Sequence, residues 1–273
     1  MSPQLDTFRS IWTLDFEFVA EPGERPEPVC MVGHELRSGR TIRLWCDELR
    51  ARRESPIPTG PDALHVVFYG SAEWGCYLAL GWPIPSRIVD LYAEHRLKTN
   101  YALGKEHRRA LLPLGDGLIG AASFHGLDVM EAAEKDANRA LILAGGPWSP
   151  AQRARILDYC QADVMTTAGL FRAMAEGIDL PRALIRGRYT PAVASMEDTG
   201  VPIDVETFRR LRDRWNAIKL RIVAEDDRLG LFDGASFKED RFNAYLAGRG
   251  LWWPRFPSGR PQLDDDTFKA MVG

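Results

Sequence analysis

The stretch Ile11-Trp12-Thr13-Leu14-Asp15-Phe16-Glu17-Phe18-Val19-Ala20 decides how this chain is read. It is rich in aromatic and β-branched residues, the composition of a strand. Side chains two apart on a strand share a face. Asp15 and Glu17 therefore stand together, with Leu14, Phe16 and Phe18 on the opposite side. Two acids beside so apolar a run are costly unless a cation compensates them. A solvated face of an amphipathic edge strand shows the same alternation, so this pair alone does not decide the chemistry.

Outward from that strand, residues 28–36 (PVCMVGHEL) and 41–49 (TIRLWCDEL) read as a second and a third strand. Ser38-Gly39-Arg40 between them supplies a turn, which predicts an antiparallel meander. Residues 63–70 (ALHVVFYG) form a short continuous apolar run, the signature of a buried parallel strand. A helix is expected over 71–81, closed by Gly81 and Pro83. The second half reads as helical: 127–145, then a long amphipathic helix over 151–177 opened by Ser149-Pro150, which suit an N-cap and first turn. Further helices are expected over about 181–198 and from Asp204 to about 229. In the last of these, Phe208, Leu211, Trp215, Ile218 and Ile222 keep near-helical spacing. Trp252 and Trp253 read as packing residues near the C-terminus. The expected architecture is α/β, a mixed sheet with helices packed on it and a helical appendage. The division falls at 1–180 and 181–273.

Composition narrows the function classes. Of 273 residues 45% are hydrophobic and 27% charged, which excludes a disordered or collagen-like chain. Lys and Arg number 35 against 38 Asp and Glu, a net charge of −3. Any contact with nucleic acid must then be local. Four widely spaced cysteines with no CxxC pair fit a reducing compartment and argue against a zinc knuckle. No apolar leader or membrane-spanning run is present, so a cytoplasmic protein without a membrane partner is expected.

Two more segments carry chemistry beside Asp15 and Glu17. Tyr159 and Asp163, four apart on a helix, share a face one turn apart. Phe68-Tyr69-Gly70-Ser71-Ala72-Glu73-Trp74 lies where a buried strand turns into a helix. Taken alone, the first is also a surface Tyr–Asp pair. Glu73 alone is also a first-turn acid complementing the helix dipole.

In this order and at these intervals, the three segments resemble the DEDD exonuclease superfamily in its Tyr-containing branch. Asp15 and Glu17 match its D-x-E motif, and Tyr159 and Asp163 its Y-x3-D motif. The histidine of the other branch would fall at Asp158. The usual N-x3-D motif is replaced by Tyr69 and Glu73, and Asp90 is an alternative acid for that role. More of the chain is similar to the 3′–5′ exonuclease domain of DNA polymerase I-like (family A) proteins. Asp90-Leu91-Tyr92-Ala93 looks like the segment after their second motif, and residues 118–127 like their L-x-x-A-x-x-x-x-G-L helix. Residues 197–204 (EDTGVPID) resemble the junction between their exonuclease and polymerase parts. Residues 258–264 (SGRPQLD) are like a stretch of their thumb. Palm motifs for nucleotidyl transfer are missing, so this chain is not expected to polymerise.

The resemblance implies a ribonuclease-H-like sheet and a metal-dependent 3′–5′ exonuclease acting on single-stranded DNA. It implies two Mg²⁺ or Mn²⁺ ions, with a polymerase core in cis or in trans as a partner. Asp15 would bridge the ions, Glu17 and Asp163 would complete the first site, and Glu73 would serve the second. Tyr159 would orient the attacking water. A basic stretch with Lys105, Arg108, Arg109 and the ring of Tyr101 is a candidate DNA contact, as is Lys135; a solvated charged face reads the same way. A degenerate module that binds DNA without cleaving it, and a ribonuclease D-type RNA exonuclease, are the alternatives.

Overall fold

The computed structural model describes residues 3–100, 112–128 and 132–271. The candidate contacts Tyr101, Lys105, Arg108 and Arg109 lie outside them. The chain divides into two compact units, Met1–Val201 and Pro202–Gly273.

The first unit is built on a five-stranded mixed sheet: β1 (Ser10–Val19), β2 (Glu27–Glu35), β3 (Thr41–Trp45), β4 (Ala63–Val67) and β5 (Ile88–Asp90). Their spatial order is β3-β2-β1-β4-β5. The meander is antiparallel, while β4 and β5 run parallel to β1. β1 is thus central. Its register against β2 shifts directly after Glu17. An irregularity of this kind re-aims the side chains next to it.

Helices cover both faces of the sheet. They are α1 (Cys46–Arg50), α2 (Ser71–Ala79), α3 (Leu91–Asn100), α4 (Leu118–Phe124), α5 (Ala132–Leu143) and α6 (Pro150–Met174). Ser149 caps α6 in a reciprocal box with Gln152, which fixes where this 25-residue helix begins. α6 packs across β1 and β2, burying Ile156, Cys160 and Val164 against Val29, Cys30 and Val32. On the other side, Leu14 and Phe16 of β1 bury with Trp74, Cys76 and Tyr77 of α2.

Residues 181–199, expected in the appendage, pack within the first unit. They form α7 (Leu180–Arg186) and α8 (Tyr189–Thr199), broken at Gly187. A Cβ at Gly187 would lie 2.0 Å from the Ile88 carbonyl oxygen, so only glycine lets this backbone lie on β5. Arg186 grips the buried Glu94 carboxylate with two 2.7 Å hydrogen bonds, and the Trp74 indole donates to Thr190 Oγ1 at 3.1 Å.

The second unit holds α9 (Val205–Asp226), a two-stranded hairpin of β6 (Phe232–Asp233) and β7 (Ser236–Phe237), α10 (Glu239–Arg249) and α11 (Asp265–Met271). Its core is aromatic: Trp253 packs on Phe242 and Phe268, with ring centroids 5.1 and 4.9 Å away. Trp253 fits its expected packing role, whereas Trp252 is 75% exposed. Among the described residues no helix is long and apolar enough to cross a membrane.

Candidate functional site

Asp15, Glu17, Glu73, Tyr159 and Asp163 all line one cavity of about 510 Å³. Three elements deliver them. β1 projects Asp15 and Glu17 from its end, where the alternation of the strand puts both on the same side. α6 brings Tyr159 and Asp163 one turn apart, and α2 presents Glu73 from its first turn. Lys135 of α5 also reaches the cavity, as do Arg139, Phe18 and Tyr69.

The electrostatics are those of crowded acids. Burial, reinforced by the Asp163 charge, pushes the Asp15 carboxyl up from 3.8 to about 7, partly offset by Glu73 and Lys135. Burial and then Asp15 push Glu17 up to about 10. Glu73 is also raised, by burial first and then by Asp15. Its carboxyl lies beside that of Asp15, close enough to share a proton. Lys135 supplies the counter-charge, with its Nζ 2.9 Å from Asp163 Oδ2 and 5.8 Å from the centre of the Tyr159 ring. Burial and the neighbouring carboxylates raise the Tyr159 hydroxyl, which also bonds Asp163.

Carboxylate oxygens are the donors that a hard divalent cation takes, and one close donor group is present. Ligand atoms of Asp15, Glu17 and the buried Cys160 all lie within 4.8 Å of one another. Glu73 is 5% exposed, and its Oε2 has no hydrogen-bond partner among the described residues. An orphaned, buried carboxylate oxygen on a residue that shares a cavity with other carboxylates is the environment that a cation relieves. The side chain of Glu73 reaches the cavity from the first turn of α2.

Asp90, the alternative acid, has a different task. Its carboxylate accepts the backbone N–H groups of Tyr69 (3.1 Å), Gly70 (2.9 Å), Tyr92 (2.9 Å) and Ala93 (3.3 Å). It joins the β4–α2 turn to the start of α3 and does not line the cavity. The turn that it fixes holds Tyr69 at φ 63°, a left-handed conformation uncommon for a residue other than glycine. Such strain persists where surrounding structure over-determines it, and often near functional sites. The Tyr69 ring is 56% exposed on the cavity rim and rests edge-on against Tyr92 at 5.1 Å.

Three participants were not singled out in the sequence. Arg139 lies four residues after Lys135, so helical spacing places it on the same face of α5. Phe18 walls the cavity just past the register shift. Cys160 follows Tyr159, and its thiol donates to the Asp15 carbonyl oxygen at 3.4 Å. An isolated buried thiol carries no sequence signal of its own.

In comparison with known proteins, the chain matches no family model and no curated protein.

Proposed function

We propose that this cavity is the active site of a metal-dependent 3′–5′ exonuclease that trims single-stranded DNA, of the proofreading type found in DNA polymerase I-like proteins. The observation that carries the reading is the convergence of Asp15, Glu17, Glu73 and Asp163 on one cavity, with an unpartnered Glu73 oxygen inside it. The order β3-β2-β1-β4-β5, with β2 antiparallel to its neighbours, supports a ribonuclease-H-like fold beneath it.

In this reading Asp15, Glu17, Glu73 and Asp163 would hold two divalent ions. When bound, the ions supply an activated water and charge stabilisation at the attacking and leaving oxygens. Tyr159, whose hydroxyl stays protonated, orients the water as a hydrogen-bonding group and does not act as a base. Lys135, now paired with Asp163, and Arg139 beside it offset the negative charge of an incoming phosphate. The exposed Tyr69 ring offers a face to an unstacked base.

The test is release of mononucleotides from a 3′-labelled single strand with Mg²⁺ or Mn²⁺. Wild type is expected to degrade the strand. The double variant Asp15→Ala/Glu17→Ala is expected to lose at least about 10²-fold in rate, on the scale of displaced catalytic groups. Equal rates for the two proteins refute the proposal. Matched RNA and DNA strands, run in parallel, separate it from an RNA-processing enzyme.

A further inference from the structure

α9 is 22 residues long, about 33 Å at ~1.5 Å per residue, and none of its residues is buried. Its apolar side chains are not scattered. Phe208, Leu211, Trp215, Ile218 and Ile222 are spaced three, four, three and four apart. That is the a/d alternation of a helix that packs along its length against another helix. Phe208, Leu211, Trp215 and Ile222 are each roughly half exposed. On its other flank Leu220 lies next to Gly234, where a Cβ would meet it at 3.7 Å; within the seam itself Ile218 is half-buried and the other four side chains are exposed.

The charged residues bordering the seam are mostly basic. The flanking heptad positions are Val205, Thr207, Arg212, Arg214, Lys219, Arg221 and Asp226, which makes four cations and one anion. Within the helix Arg210 pairs with Glu206, Arg212 with Asp213 and Arg221 with Glu225. Arg214 and Lys219, which bracket the middle of the seam, make no ion pair among the described residues.

We propose that this seam docks an amphipathic helix of a partner protein, apolar at its own a/d positions and acidic along its flanks. A second copy of α9 is disfavoured, because it would set Arg212, Arg214 and Lys219 against like charges. A nucleic acid is disfavoured as well: Phe208 and Trp215 carry exposed rings, but they sit in a continuous apolar seam with Leu211, Ile218 and Ile222, whereas a single-strand groove sets cations between its stacking rings.

The experiment uses the full chain and two labelled helical peptides as probes. Both have Leu at a and d; one has Glu and the other Lys at the flanking positions. Fluorescence anisotropy is expected to show binding of the acidic peptide, weakening with salt, and none of the basic peptide. Trp215→Ala, at an exposed position, is expected to weaken binding about tenfold or more with an unchanged melting temperature. The charge reversal Arg214→Glu/Lys219→Glu is expected to transfer preference to the basic peptide. Equal binding of both peptides, binding of neither, or no change on charge reversal overturns the proposal. So does a Trp215-dependent dimer in sedimentation, or displacement of the acidic peptide by a single-stranded oligonucleotide.

Discussion

Replacing Asp15 by Asn should make the metal-free protein more stable, although it removes a residue central to the site. The reason is the crowding of carboxyls. Raising the Asp15 carboxyl from 3.8 to about 7 penalises its ionised form in the fold. At ~1.4 kcal/mol per tenfold this amounts to roughly 4 kcal/mol. That is a ceiling, since the cavity is open to water and Lys135 screens it, so a net gain of about 2 kcal/mol is expected. The sign follows from proton linkage. A carboxyl that binds its proton more tightly in the fold than in the unfolded chain costs stability as pH rises from about 4 to about 7. Asn is free of that loss. The assay is thermal unfolding in EDTA across pH 4 to 8. For a domain of this size ~2 kcal/mol corresponds to about 4–8 °C. The variant should melt higher than wild type by that margin at pH 8, and the gap should close towards pH 4. Mn²⁺ should raise the melting temperature of wild type and do much less for the variant, because a ligand binding only the fold stabilises by mass action. A variant that melts lower than wild type at pH 8 without metal, or by a margin independent of pH, refutes the crowding argument.

Two further outcomes follow from groups around the site. Asp90→Ala strands four backbone N–H groups that now share one carboxylate, and should cost about 2–4 kcal/mol in chemical denaturation; a loss below about 0.5 kcal/mol removes Asp90 from its place as the clamp on the Tyr69 turn. His65 is fully buried, with neither ring nitrogen partnered among the described residues, and burial holds its pKa down to about 3. The unfolded chain gains that proton first, so His65 costs stability as pH falls from about 6.5 towards 3. His65→Leu should flatten this part of the stability profile relative to wild type, and parallel profiles contradict the assignment.

Much of the first unit was legible in the sequence because periodicity carries it. The alternation in 11–20 gave β1 and put Asp15 and Glu17 on one side, and the apolar run at 63–70 became β4 over Ala63–Val67 followed by the turn into α2. The spacing of Tyr159 and Asp163 worked for the same reason: a helix fixes which residues share a face before any tertiary contact is known. Most of what failed was non-local. A single helix was expected over 181–198, since one glycine in a helical pattern is tolerated, yet Gly187 breaks it because the Ile88 carbonyl lies against it. Asp90 read as an alternative to Glu73 for the second-motif acid. Only the distances to Tyr69 and Gly70, some twenty residues away in sequence, show that it clamps their turn instead. The β6–β7 hairpin was missed although its Asp233-Gly234 pair is a strong local turn signal; the flanking strands, two residues each, are too short to show alternation. Cys160 beside Asp15 could not be read at all, since their proximity is made by α6 crossing β1.

The most direct test of the acidic cavity is a crystal of the full chain soaked in Mn²⁺ and measured for anomalous scattering. Two peaks are predicted in the cavity, both within ligand reach of Asp15, with one also touching Glu17 and Asp163 and the other lying on the Glu73 side. Peaks only at surface carboxylates, with the cavity clear of metal at saturating Mn²⁺, would contradict the account.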